Sequence, residues 1–315
     1  MIDLDPKILY QRYQNKEIDK TTLVSSLLLI IEESTYENLR VGAINQLRRL
    51  GITSDHLFTF MENLMISDSN DKVRNAAAGY ISFLYYEKSY NIVNWAIQYE
   101  ESYECIITMI NILKKMQSEE AKSLLISEIS KILNPNNNLT YKPYISQKYR
   151  RRIKCVFKKK DINDFSNKDL AEILINFKTL SFLALSFPNF YFDLDLSNGL
   201  VSEVDLADYL QYEVKGTPFG WKNNIVSLSK IKGLTNLKFI KKLDLSNNLI
   251  EDLSELSTFK NLETIYLANN KISDCKNIEY INSLPKIHYV DLSGNNDFKP
   301  NVKVVLKRFD ELFEF

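Results

Sequence analysis

Leu39, Ala43, Leu47 and Leu50 stand at steps of four, four and three, the spacing that lines one face of an α-helix. The same set, with an arginine beside its first member, recurs 34 residues later: Leu39, Arg40, Ala43, Leu47 and Leu50 become Val73, Arg74, Ala77, Ile81 and Leu84. The small Ala43 and Ala77 fall where a neighbouring helix must approach closely. Each set follows another apolar helical stretch, at 22–33 and 56–66, so the repeating unit is a helix pair. A weaker third copy reads Ile106, Ile110 and Leu113 after a helix predicted at 90–99. A further helix is predicted at 119–133, ended by the turn chemistry of Asn134, Pro135 and the asparagines at 136–138.

The second half changes period. Ile240, Leu243, Leu245, Asn248 and Ile250 recur after 22 residues as Leu262, Ile265, Leu267, Asn270 and Ile272. After another 25 they recur as Ile287, Val290, Leu292 and Asn295, with Phe298 at the end. The pattern LxxLxLxxN predicts a short parallel strand with inward leucines, then a turn in which the Asn side chain bonds backbone groups of neighbouring coils. Leu180, Leu183 and Leu185 fit the template with Pro188 in place of Asn, and Val201, Val204 and Leu206 fit it with Tyr209, so both are expected to be degenerate copies. The wider gap from Leu206 to Leu243 leaves room for an insertion at about 210–226.

Over about 20–133 the chain resembles HEAT repeats, whose second helix carries an Asp, Val-Arg, Ala and Leu signature like that of Asp71, Val73, Arg74, Ala77 and Ile81; the third copy departs from it with Tyr103 at the Arg position. In that family the arginine ties adjacent turns together through acidic groups, which for Arg40 and Arg74 implies a structural role, with partner contact as the alternative. Over about 180–296 the chain resembles leucine-rich repeats of the 22-residue class, which implies a curved scaffold that binds macromolecules through its concave strand face. The expected fold is an α+β solenoid. A HEAT-like helical superhelix occupies 1–140 and a basic junction 141–165. A leucine-rich-repeat parallel-sheet solenoid occupies 166–315, closed by a capping helix at 298–315, where Val305, Phe309 and Leu312 share one face.

Charge matters only locally, because 40 basic residues balance 40 acidic ones among the 315. Residues 141–160 hold nine basic residues and no acid, leaving 1–140 at −4 and 161–315 at −5. Lys148, Arg150, Arg151, Arg152, Lys154, Lys158, Lys159 and Lys160 are the anion or nucleic-acid candidates, with Tyr141, Tyr144, Tyr149 and Phe157 interleaved for stacking on bases. Anionic lipid, an acidic protein surface and a solvated junction helix are the other readings of this run. No stretch approaches the roughly 20 apolar residues of a membrane span. The acidic start has no signal-peptide core, and the widely spaced Cys105, Cys155 and Cys275 suit a reducing compartment, so a cytoplasmic protein is expected.

Strand alternation puts the residues between and beside the inward leucines on the open face. The partner-binding candidates there are Asp205, Lys242, Asp244, Thr264, Tyr266, Tyr289 and Asp291, with Phe182, Glu203 and the central row Ala184, Asp205, Asp244, Tyr266, Asp291 completing the pattern. Carboxylates with tyrosine anchors suit a basic protein surface, although aspartates after leucine also serve simply to solubilise such a sheet. A basic junction folded onto this acidic face is an intramolecular alternative. Neither a Rossmann glycine fingerprint nor a P-loop occurs. Asp193, Asp195, Asn198 and Gly199 echo a calcium loop, but Gly comes one place late and no Glu closes the loop, so a turn is expected and no metal or cofactor. With two histidines, His56 and His288, and no specified nucleophile, the expected function is recognition of a protein partner without catalysis; nucleic-acid binding through the basic run is the alternative.

Overall fold

The computed structural model describes residues 5–134, 143–187, 190–208 and 224–295. The chain divides into two compact units, Met1–Ser130 with Phe165–Leu174, and Lys131–Asp164 with Ile175–Phe315.

The first unit is helical. It runs α1 (Pro6–Gln14), α2 (Lys20–Glu33), α3 (Glu37–Arg49), α4 (Asp55–Ser67), α5 (Asp71–Leu84), α6 (Tyr90–Ala96), α7 (Tyr103–Lys115) and α8 (Glu119–Leu133), the last crossing the division between the units. The starts are written in the sequence: Asp19 caps α2 by accepting from Thr22 N at 2.7 Å, Ser54 caps α4 from Leu57 N, and Asn70 caps α5 from Lys72 N and Val73 N. Leu23, Leu27, Ile30 and Ile31 of α2, with Ala43, Ile44 and Leu47 of α3 and Val73, Ala77 and Ile81 of α5, are fully buried. Each large aliphatic side chain so buried contributes about 1.5–3 kcal/mol.

The two repeated arginines hold successive pairs together. Arg40 donates to the Ile31 carbonyl at 2.8 Å and to the Asp68 carboxylate, which lies after α4. Arg74 donates to the Asp68 carbonyl and, through Nε and Nη2, to both oxygens of Glu100 at 2.8 and 2.9 Å. The arginine of one pair thus bonds the inter-helix loop of the next, and it is structural in both copies. Burial alone would raise the Glu100 carboxyl, but the Arg74 bond, the Ser102 and Glu101 amides and the Arg74 charge together hold it below its ordinary range.

The second unit contains α9 (Pro143–Lys159), the C-terminal part of α10 (Asn167–Ser186), β1 (Tyr191–Leu194), β2 (Val201–Asp205), β3 (Lys242–Asp244), β4 (Thr264–Tyr266), α11 (Lys276–Asn282) and β5 (Tyr289–Asp291). The strands form one sheet in the order β1-β2-β3-β4-β5. From β2 onward the pairing is parallel, with Val204, Leu243, Ile265 and Val290 in register, but β1 and β2 are an antiparallel hairpin. Its turn carries Asn198 and Gly199, with Gly199 at φ +79° and its amide 2.7 Å from the Asp195 carbonyl.

Behind the parallel strands the asparagines form a ladder. Asn248 accepts from Ile225 N and donates to Leu206, Leu245 and Ser246 carbonyls; Asn270 accepts from Ile250 N and donates to Leu245, Leu267 and Ala268; Asn295 accepts from Ile272 N and donates to Leu267 and Leu292. Asn277, on the return side, does the same between Leu253 N and the Glu251 carbonyl. The residue before each of Asn248, Asn270 and Asn295 is left-handed: Asn247 at φ +59°, Asn269 at +55° and Gly294 at +70°. The third such place is tight, since a Cβ on Gly294 would lie 2.0 Å from Asn269 Oδ1.

One repeat expectation fails. Leu180, Leu183 and Leu185 are not a strand; they lie in α10, and Phe182 and Ala184 therefore have no place on the sheet. The reason is local. Ser166 and Asp169 cap the helix reciprocally, Ser166 Oγ donating to the Asp169 carboxylate at 2.7 Å and accepting from Asp169 N at 3.2 Å. From there Leu170, Leu174, Phe177 and Leu180 continue at helical spacing, and all are buried. The i, i+3 step of Leu180 and Leu183 belongs equally to LxxL and to a helix. Most of the expected insertion at 210–226, the turn after Asn134 and the capping helix at 298–315 lie outside the described residues.

Candidate functional site

The sheet has a buried face, on which Phe192, Val204, Leu243 and Ile265 are sealed, and an open face. The pairing register fixes two rows of side chains on the open side. One row is Asp193, Glu203, Lys242, Thr264 and Tyr289; the other is Tyr191, Asp205, Asp244, Tyr266 and Asp291. All seven partner-binding candidates therefore share one surface. Tyr191 and Asp193 take the places expected for residues of the 180–186 segment.

The rows are internally wired. Lys242 bonds Glu203 at 2.6 Å, which raises the lysine above its ordinary value against the opposing cost of burial, and its ammonium stands 5.7 Å from the Tyr266 ring centre. The Tyr266 and Tyr289 rings are 5.2 Å apart and tilted by 49°, an aromatic pair across adjacent strands. Burial, and then the Asp291 charge, raise the Tyr289 phenol, which stays a neutral donor at neutral pH. The row aspartates also carry a backbone duty. Asp205 accepts from Ala207 N at 2.9 Å, Asp244 from Ser246 N at 2.9 Å, and Asp291 from Ser293 N at 3.0 Å and from its hydroxyl. Each turns the chain at a strand end, as Asx residues do. Aspartate after leucine is thus explained by local structure as well as by what it offers a partner.

The basic run divides by helix face. In α9, Tyr149, Ile153 and Val156 are buried, and the Tyr149 ring lies 5.1 Å from Phe177 and 6.5 Å from Phe192. Tyr149 is therefore a core residue and is not available to stack on bases. Lys148 donates to the Phe192 carbonyl and sits 3.4 Å from the Tyr191 ring centre; burial lowers its ammonium, with Asp193 acting in the other direction. Arg152 pairs with Asp193. These two cations belong to the β1 edge of the sheet. Arg151, Lys154, Lys158, Lys159 and Lys160 are exposed, and Arg150 is half-buried.

The calcium-like aspartates are otherwise engaged. Asp193 holds Arg152, while Asp195 accepts from the Ser197 hydroxyl and amide and from Lys241, contacts that keep its carboxyl below the ordinary range despite some burial. His288 is exposed, with Nδ1 3.4 Å from the Lys286 carbonyl. In the first unit a groove of about 230 Å³ is lined by Ile66, Arg74, Trp95, Tyr99 and Glu100. No group of three or more metal-ligating side chains and no helix long and apolar enough to cross a membrane occurs among the described residues.

Sequence reasoning missed Tyr191 and Asn277. A partial signal was present: Leu194-Asp195-Leu196-Ser197-Asn198 repeats Leu243-Asp244-Leu245-Ser246-Asn247 letter for letter, which marks a strand at about 193–195 but gives neither its direction nor the place of Tyr191. A family model described as Leucine Rich repeats (2 copies) matches residues 240–280 and 260–300. No curated protein and no solved structure matches the chain. Leucine-rich repeats generally mediate protein–protein interaction and are typically non-enzymatic.

Proposed function

We propose that this protein is a non-enzymatic scaffold that binds a protein partner through the open face of its leucine-rich-repeat sheet. The observation that carries this reading is the pair Tyr266 and Tyr289, half-buried and in ring contact, set among Asp205, Asp244 and Asp291 on strands held in strict register. Tyrosine contributes large contact area at low entropic cost and is enriched where interfaces concentrate their energy, while the carboxylates favour a partner with basic side chains. The helix pairs at 20–133, joined through Arg40 and Arg74, are read as HEAT-like repeats and the whole as a two-part solenoid with a basic junction. The unpaired cysteines favour a cytoplasmic setting.

The test is affinity capture followed by calorimetry with the purified partner. Tyr266→Ser combined with Tyr289→Ser is expected to weaken binding at least a hundredfold, while Phe83→Ser, at an exposed site of the helical unit, leaves it unchanged. A partner that binds the tyrosine variant as tightly as the parent would remove the open face from the proposal.

A further inference from the structure

We infer that the outward stripe of α9 binds the phosphate backbone of duplex nucleic acid without reading its sequence. The rotation of α9 is set by Tyr149, Ile153 and Val156, which are buried, and by Lys148 and Arg152, which engage β1. What remains outward is Arg151, Lys154 and Lys158, at steps of three and four, with Lys159 alongside. Among the described residues no acid forms an ion pair with any of these four. At 1.5 Å per residue they occupy about 12 Å of helix, one cation per ~3 Å. A single strand of a duplex carries one phosphate per about 3.4 Å of axis, so the two linear charge densities match.

A purely structural account covers only part of the stripe. Lys158 and Lys159 stand in the last turn, where cations offset the negative end of the helix dipole, but Arg151 and Lys154 are a turn or more earlier, beyond the reach of that effect. The flanking segments are net acidic, −4 over 1–140 and −5 over 161–315, and no other 20-residue stretch is as densely basic as 141–160.

Composition selects among anionic partners. Protein interfaces are poor in lysine and are anchored by aromatic or aliphatic side chains, and the stripe offers lysines with no such anchor. A membrane-surface helix needs its apolar side for the lipid, whereas the apolar side of α9 is packed inside its own unit. Single-strand binders stack bases on exposed aromatic rings; in α9 Tyr149 is committed to Phe177 and Phe192, and Phe157 is half-buried. A duplex backbone asks only for spaced charge.

The experiment is fluorescence anisotropy of the full chain with 20-base-pair DNA and RNA duplexes of two unrelated sequences, across 50–200 mM salt. Four phosphate contacts predict a slope of log K on log salt near −3.6, so affinity falls roughly a hundredfold over that range, alike for both sequences. Replacing Arg151, Lys154, Lys158 and Lys159 by Gln, at positions whose exposure leaves the core untouched, should abolish binding. Replacing the three lysines by Arg should preserve it. Absence of duplex binding at 50 mM salt, undiminished binding by the Gln variant, tighter binding of single strands, or binding of phosphatidylserine vesicles in place of duplexes would each overturn the inference.

Discussion

Replacing Asn270 by Ala tests whether the asparagine ladder holds the second unit together. The side chain is only 5% exposed and makes four hydrogen bonds, one accepted from Ile250 N at 2.9 Å and three donated to the carbonyls of Leu245, Leu267 and Ala268. The losses are unequal. Leu245 O retains Asn248 Nδ2, Leu267 O retains Asn295 Nδ2, and Ala268 O retains the Asn247 amide. The Ile250 amide, on a fully buried residue, loses its acceptor, at about 1–3 kcal/mol, and the donated bonds add about 1 kcal/mol together after sharing, for a total near 2–4 kcal/mol. That is a large part of the 5–15 kcal/mol typical of a domain. Hydrogen exchange read by mass spectrometry localises the effect, and protection should fall by that amount over 240–295 and stay unchanged over 20–115. Asn270→Asp supplies a check on sign. A carboxylate would still accept from Ile250 N but would face three carbonyls, so its folded pKa is raised above the unfolded value; the defect should be deepest at pH 7 and shrink as the group protonates. A loss under about 0.5 kcal/mol for the Ala variant, or a loss spread over both units, would refute the reasoning.

Thiol chemistry and acid titration check the first unit. Cys105 is fully buried, and burial pushes its thiol up to about 11, whereas Cys155 and Cys275 are exposed. A disulfide exchange reagent at pH 8 should therefore titrate two thiols in the native chain and the third only in denaturant; three fast thiols would contradict the packing of α7. The Glu100 carboxyl is held below its ordinary value of 4.5, so its stabilisation is complete above that pH and is lost as pH falls through the lower folded value. Helical melting followed by circular dichroism should show Glu100→Gln to be less stable than the parent at pH 7, with the gap closing below about pH 4. A gap that persists into acid would mean that the Arg74 pair is not its source.

Much of this was legible before any coordinates because repetition supplies its own control. Asn248, Asn270 and Asn295 each recur at the same place in LxxLxLxxN, and a polar residue fixed in an apolar repeat has to bond backbone. Arg40 and Arg74 could be read in the same way, although their acceptors, Asp68 and Glu100, lie 28 and 26 residues on with no shared motif. The seven open-face candidates followed from strand alternation alone. What could not be read was direction and rotation. Leu180 and Leu183 satisfy two periods at once, and the Ser166 and Asp169 cap that decides between them lies outside the repeat template. The basic run gave its charge plainly, but which of its members turn inward depends on Tyr149, Ile153 and Val156 finding a core.

The reversed first strand has an architectural result. A parallel array can in principle lengthen at either border, since each added coil presents the same row of amides and carbonyls as the last. Here β1 runs against its neighbour, and the carbonyl of its Phe192 is occupied by the Lys148 ammonium. A further parallel coil would meet a strand of opposite direction there, with one of its edge acceptors already taken. The hairpin is thus the bookend from which the register of every later parallel coil is counted.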